Sequence, residues 1–134
     1  MRIITGRYKG RRFDIPRTFK ARPTTDFAKE NIFNVINGYT DWEETTALDL
    51  FAGTGSISLE LLSRGCPQVV SVEKDRDHAR FISQYMEKIG TENHVLIKGD
   101  VFRFLKSCHQ QFDLVFADPP YALPELSTIP DLIF

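Results

Sequence analysis

From Ala47 to Asp118 the sequence alternates short apolar runs with longer stretches of helical periodicity, and this alternation leaves few folds open. ALDLF (47–51), QVVSVE (68–73), HVLIKGD (94–100) and FDLVFAD (112–118) read as strands. Between them lie a helical pattern through Leu59, Leu61 and Leu62 to Arg64-Gly65, DRDHARFISQYMEKIG with Gly90 as its stop, and the short VFRFLKSC. Strands separated by whole helices pair parallel through crossovers rather than through tight turns. The expected fold class is therefore α/β, a mostly parallel sheet with helices on both faces.

In such sheets ligands bind beyond the carboxyl ends of the strands. Acids stand at those ends: Asp49 before GTG, then Glu73, Asp100 and Asp118. Carboxylates gathered at one edge repel each other, so they make sense around a ligand with cationic and hydroxyl groups. DLFAGTGS (49–56) places Gly53 and Gly55 where backbone approaches a ligand closely. It fits a dinucleotide fingerprint badly, because the third glycine position is Ser58 and the motif opens with an acid. Glu73, 24 residues after Asp49, suits a ribose diol, although a solvated glutamate beside Lys74 is the plain alternative. Asp100 suits an adenine amino group, with Val101 or Phe102 against the ring; it also suits a helix N-cap, and the two roles are compatible. Together these residues describe a site for an adenosine-bearing ligand with a positive tail. S-adenosylmethionine fits, and NAD fits worse because its pyrophosphate wants a full glycine fingerprint.

FADPPY (116–121) then gains a role. The Asp118 carboxylate and the Pro119 carbonyl can accept hydrogen bonds from an exocyclic amine. Positive charge developing on that nitrogen is stabilised in place by the carboxylate. Pro119 and Pro120 stiffen the loop and remove amide donors, and Tyr121 offers a face on which a base stacks. A proline-rich turn explains the prolines but neither the acid nor the tyrosine.

The N-terminal part is different in kind. RIITGRY and RRFDIP flank Lys9-Gly10 and read as a β-ribbon; Pro23 disfavours helix before it, and Thr24 or Thr25 caps a helix running to about Asn37. Phe27, Ile32, Phe33, Val35 and Ile36 are its apolar residues. The net charge of −1 conceals nine Lys/Arg against three acids in residues 1–30, a local +6, while the rest carries −7. A basic arm on an acidic body points to a polyanionic partner, the plain alternative being a solvated hairpin. The expected division is residues 1–40, a basic ribbon plus helix that contacts nucleic acid, and 41–134, a cofactor-binding core. No apolar stretch approaches the roughly 18 residues of a membrane span. Cys66 and Cys108 have no metal-ligand spacing, so neither zinc nor any other metal is expected, and the cytoplasm is the natural compartment.

With DLFAGTGS, VEKD, GDVF and ADPPY in this order, the chain resembles class I, Rossmann-like S-adenosylmethionine-dependent methyltransferases, and within them the RsmD-like family that methylates the guanine N2 amine of bacterial small-subunit (16S) ribosomal RNA. RIITGRYKGRRF, RPTTD (22–26), FNVI in the following helix and LSRG (62–65) carry the closer likeness. The resemblance implies S-adenosylmethionine held by Asp49, Phe51, Ala52, Gly53, Thr54 and Gly55, by Glu73 and Lys74, and by Asp100 and Val101. Asp118, Pro119, Pro120 and Tyr121 are the implied catalytic residues. Arg7, Lys9, Arg11 and Arg12 are implied to grip RNA phosphate, with Arg22 and Thr24 near the mouth of the site. The implied partner is ribosomal RNA or an assembling small subunit. The same site chemistry also serves an adenine-N6 methylase of DNA, and the fold also serves a non-catalytic nucleic-acid-binding module. The usual strand order makes the sheet third, second, first, fourth. Family members continue beyond the fourth strand, so the C-terminal strands of the usual seven-stranded sheet are expected to be absent, and the exposed fourth strand is expected to pair with another chain or with a missing segment.

Overall fold

A computed structural model describes residues 1–19 and 25–118. Among these described residues the elements of regular structure are, in order, α1 (Asp26–Asn37), a 3₁₀ turn (Trp42–Glu44), β1 (Thr46–Leu50), α2 (Ser56–Arg64), β2 (Gln68–Glu73), α3 (Arg76–Ile89), β3 (His94–Lys98), α4 (Val101–Ser107) and β4 (Leu114–Ala117). The four strands form one parallel sheet in the order β3-β2-β1-β4. This is the expected order. Among the described residues, β3 and β4 are its edges.

Helices α1, α3 and α4 each start at a side chain that accepts from their first-turn amides, whereas α2 starts at Gly55 without a side-chain cap. Thr25 Oγ1 accepts from Ala28 N, Asp75 Oδ1 from Asp77 N and His78 N, and Asp100 Oδ1 from Phe102 N and Arg103 N. Gly65 and Gly90 end α2 and α3 in the left-handed region. Two apolar clusters cover the sheet. One joins α2 and α3 to the inner face, with Leu59, Leu61, Val69, Ile82 and Tyr85; the other packs Leu48, Leu50, Val70 and Val72 against Val101 of α4.

The N-terminal ribbon is shorter than its sequence suggests. Its only ladder is a bridge between Arg2 and Arg12, flanked by Ile3 N to Arg11 O and Phe13 N to Met1 O, both 3.0 Å. Residues 4–8 leave the ribbon because α2 offers better acceptors. Glu60 takes Ile4 N at 2.8 Å and Thr5 N at 3.0 Å, Ser63 O takes Arg7 N at 2.7 Å, and Ser63 Oγ takes Tyr8 N at 3.0 Å. Ile3 is thereby sealed into the same cluster as Phe33 and Leu59.

Helix α1 also departs from its apolar pattern. It buries Lys29 and Phe33 and leaves Phe27 and Val35 largely exposed. Lys29 Nζ donates to Arg2 O at 2.6 Å and to Ser56 Oγ at 3.0 Å, and lies 3.6 Å from Glu60 Oε1. Lys29 therefore belongs to the interior and drops out of the basic surface of the arm. Arg7, Lys9, Arg11, Arg12 and Arg17 remain exposed. No helix among the described residues is long and apolar enough to cross a membrane.

Candidate functional site

The parallel register brings the loop after β1, the end of β2, the start of α4 and the segment after β4 to one edge of the sheet. Asp49 is paired with Ser71 and with Phe116, and Leu50 with Val72 and with Ala117. Asp118 therefore leaves β4 level with Phe51, across the point where the strand order reverses.

The loop itself is held in an uncommon backbone state. Phe51, Gly53 and Gly55 all have positive φ, at 56°, 60° and 76°. Two hydrogen bonds hold the turn: Ala52 N donates to Val72 O at 3.1 Å and Gly55 N to Ala52 O at 2.8 Å. Gly55 is obligatory for a second reason. A Cβ there would meet the Tyr85 hydroxyl, which donates to Thr54 O at 2.8 Å from α3. Sequence reasoning did not single out Tyr85, whose spacing on α3 marks it only as core.

Glu73 is a rigid acceptor. Its Oε1 takes Gly53 N at 2.6 Å and its Oε2 takes Asp75 N at 2.8 Å, with His78 Nδ1 3.9 Å away. Each oxygen keeps a second lone pair, so the carboxylate is oriented with acceptor capacity left. Glu73 is thus built into the loop rather than solvated beside Lys74. Lys74 itself is exposed, its ammonium 3.9 Å from Asp100 Oδ2. Asp100 caps α4 through Oδ1, as noted. Val101 is buried under it, and the Phe51 and Phe102 rings lie 6.3 Å apart edge to face.

Asp49 is the most perturbed acid of the site. It is 1% exposed and accepts from Ser58 Oγ at 2.6 Å. Burial pushes its carboxyl up to about 7; Ser58 opposes that shift, while Glu73 and Asp118 add to it. Asp118 is exposed at the end of β4. Pro119, Pro120 and Tyr121 lie outside the described residues, as do Arg22, Thr24 and the chain beyond Tyr121.

The second limb of the N-terminal arm reaches this edge. Phe13 packs on Tyr85 with ring centroids 5.2 Å apart, and Phe19 packs on His78 at 4.7 Å and Phe81 at 5.4 Å. His78 touches Glu73, so the arm arrives beside the acceptor at the end of β2. The exposed cations of the ribbon sit on the same element as these anchors. Asp49, the 51–55 loop, Glu73, Asp100 and Asp118 are thus gathered at one edge of the sheet.

The family described as conserved hypothetical protein 95 matches residues 1–133. YlbH of Bacillus subtilis (strain 168) is 34% identical over 137 residues, covering 99% of this chain and 73% of that protein. The Haemophilus influenzae protein named ribosomal RNA small subunit methyltransferase D is 36% identical over 125 residues, covering 90% of this chain and 64% of that protein. This chain therefore spans about two thirds of the length of these relatives. The solved structure of yhhF from Escherichia coli superposes with a TM-score of 0.87 at 27% identity, over 99% of this chain and 71% of that one.

Proposed function

The chain belongs to the RsmD-like methyltransferase family, and we propose that the activity it serves is methyl transfer from S-adenosylmethionine to the exocyclic N2 amine of a guanine in small-subunit ribosomal RNA. The observation that carries the reading is the group of carboxylates at one edge of the parallel sheet, with Asp49 buried and acted on by the like charges of Glu73 and Asp118. Such an arrangement is costly until a cation enters it.

The residues fit the proposed cofactor. Asp49 stands where an ammonium or sulfonium would relieve its burial. Glu73 holds free lone pairs for the ribose hydroxyls, and the loop through Gly53 lets backbone come close. Asp100 Oδ2 and the apolar Val101 suit an adenine amine and ring. When bound, S-adenosylmethionine supplies the electrophilic methyl group. Asp118 accepts a hydrogen bond from the acceptor amine, orients its lone pair, and stabilises the positive charge that develops on nitrogen. The exposed Arg7, Lys9, Arg11 and Arg12 neutralise RNA phosphate, which assigns residues 1–40 to substrate and 41–134 to cofactor and chemistry. Neutralising these four cations should flatten the salt dependence of RNA binding; an unaltered slope would refute their role. The edge strand β4 is proposed to pair with further strands or a second chain, and ribosomal RNA as substrate places the work in the cytoplasm.

The test is labelled-methyl transfer to small-subunit RNA and to DNA, followed by nucleoside analysis. Label on guanine N2 of RNA is expected; label on adenine of DNA would overturn the substrate, and no transfer with retained nucleic-acid binding would favour a binding module. Asp118→Ala should lower turnover by about 10²-fold or more with cofactor affinity little changed. Near-normal turnover would remove Asp118 from the chemistry.

A further inference from the structure

Behind Asp49 a buried row of polar side chains crosses the sheet. Ser58 Oγ donates to Asp49 Oδ2 at 2.6 Å, the Ser58 and Ser71 hydroxyls are 2.6 Å apart, and Ser71 Oγ is 2.7 Å from His94 Nε2. Ser58 and Ser71 are fully buried. The geometry follows from the register. Asp49 pairs with Ser71, and Ser71 with Leu96, so these three share one face of the sheet, as does His94 two residues before Leu96. Helix α2 lays Ser58 over that face. The row ends at His94, which lines a cleft of about 440 Å³ between α3 and β3 together with Ser83, Glu87 and Thr91.

Hydrogen counting fixes the direction of the chain. Each serine hydroxyl has one hydrogen to give. If Ser58 gives its hydrogen to the Asp49 carboxylate, Ser71 must donate to Ser58, and His94 must donate to Ser71 as the Nε2–H tautomer. If Asp49 is protonated and donates to Ser58, every bond reverses, and His94 must accept at Nε2 and carry its hydrogen on Nδ1. Burial holds His94 well below its ordinary value, at about 4, so the ring is neutral near pH 7 and both tautomers are accessible.

We propose that Ser58, Ser71 and His94 are positioning residues for Asp49, forming a directional hydrogen-bond chain that ties the tautomer of His94 in the α3–β3 cleft to the protonation state of the carboxylate at the cofactor edge. The proposal rests on the reading that Asp49 receives the cationic part of the cofactor. The other groups acting on Asp49 are Glu73 from β2, Asp118 from the end of β4, and the Tyr85 hydroxyl from α3, which burial keeps in its neutral form. Around His94 the facing groups are Ser71 of β2, Ser83 and Glu87 of α3, and Thr91. A cation bound at Asp49 favours the carboxylate and hence the Nε2–H tautomer. By reciprocity, whatever binds the cleft and demands a hydrogen on Nδ1 weakens cofactor binding.

The test is nitrogen NMR of the imidazole-labelled free protein between about pH 5 and 9, a range centred near the ordinary histidine window. His94 should change from the Nδ1–H to the Nε2–H tautomer as pH rises through the Asp49 titration. In Asp49→Asn, whose amide neither gains nor loses a proton over this range, a single tautomer should persist throughout, and Ser71→Ala, which breaks the chain at its middle, should equally abolish the change. One tautomer across the range in the unaltered protein, or a change that survives in either variant, would overturn the proposal. Adding S-adenosylmethionine near pH 6 should shift the unaltered protein toward Nε2–H. Binding without that shift would overturn the coupling. Absence of binding with an intact tautomer titration would instead overturn the proposed function and leave the chain standing.

Discussion

Two carboxylates on opposite sides of α2 show how one fold treats buried charge in two ways. Glu60 and Asp49 are both almost completely hidden from solvent. Glu60 is surrounded by positive partners: Arg64 Nε at 2.9 Å, Lys29 Nζ at 3.6 Å, and the backbone N–H groups of Ile4 and Thr5. Among the described residues Asp49 is hydrogen-bonded by Ser58, and the charged groups acting on it, Glu73 and Asp118, are of like sign. Glu60 is a structural rivet that fastens the ribbon to the core. Burial disfavours the charged form of Asp49, a cost that a cation from outside would offset. A carboxylate buried without its own cation is the better pointer to a ligand.

The comparison predicts opposite signs for the two acids. Glu60→Ala leaves Lys29 buried without its countercharge and frees two ribbon amides, so it should destabilise the protein by about 3–5 kcal/mol in denaturant unfolding. A loss below about 1 kcal/mol would show that the ribbon is held by Ile3 and Phe13 instead.

Asp49→Asn should stabilise. The folded carboxyl titrates at about 7, against an ordinary value of 3.8. The native state therefore binds more protons than the unfolded state between these values, and stability falls as pH rises through them. The gain from Asp49→Asn should be near zero at about pH 4 and reach on the order of 4 kcal/mol above about pH 7, with cofactor affinity lost. His94 has the reverse sign: its folded value is depressed to about 4, so its contribution is complete above the unfolded value of 6.5 and is lost as pH falls toward 4. The two slopes oppose each other in the unaltered protein. Asp49→Asn should unmask a stability that rises with pH over that window, and a flat profile in this variant would refute the assignment.

Glu73 lies between the extremes, with two backbone donors and a nearby histidine. Glu73→Ala should weaken S-adenosylmethionine binding by about 1.5–3 kcal/mol, as for hydrogen bonds to a charged group. Unchanged calorimetric affinity would make its bond to Gly53 purely a brace for the loop.

Much of this was legible in the chain. The change from helical to strand periodicity located all four strands and the helices between them, because burying one face of a strand or helix writes itself into neighbouring residues. Thr25, Asp100, Gly65 and Gly90 marked helix ends for equally local reasons. The acids Asp49, Glu73, Asp100 and Asp118 stood out because each follows an apolar run. Other features were out of reach. Lys29 sits in a helix that reads as basic arm, and nothing nearby says that a carbonyl at Arg2 and a carboxylate at Glu60 will meet it. Phe27 and Val35 look like core and are exposed, because α1 turns Phe33 inward to pack in the cluster with Ile3 and against Trp42.

Sequence by itself determined the α/β alternation, the strand ends and the acidic residues that stand on them, since these depend on groups a few residues apart. Only the tertiary structure decided which buried charge is compensated. The ribbon amides that Glu60 holds, Ile4 N and Thr5 N, lie 56 and 55 residues away along the chain, and Ser58, Ser71 and His94 come from three different elements spaced 13 and 23 residues apart. Contacts of that separation are set by sheet register and helix docking, and a shift of one residue in a strand would turn Ser71 to the opposite face and break the chain to Asp49.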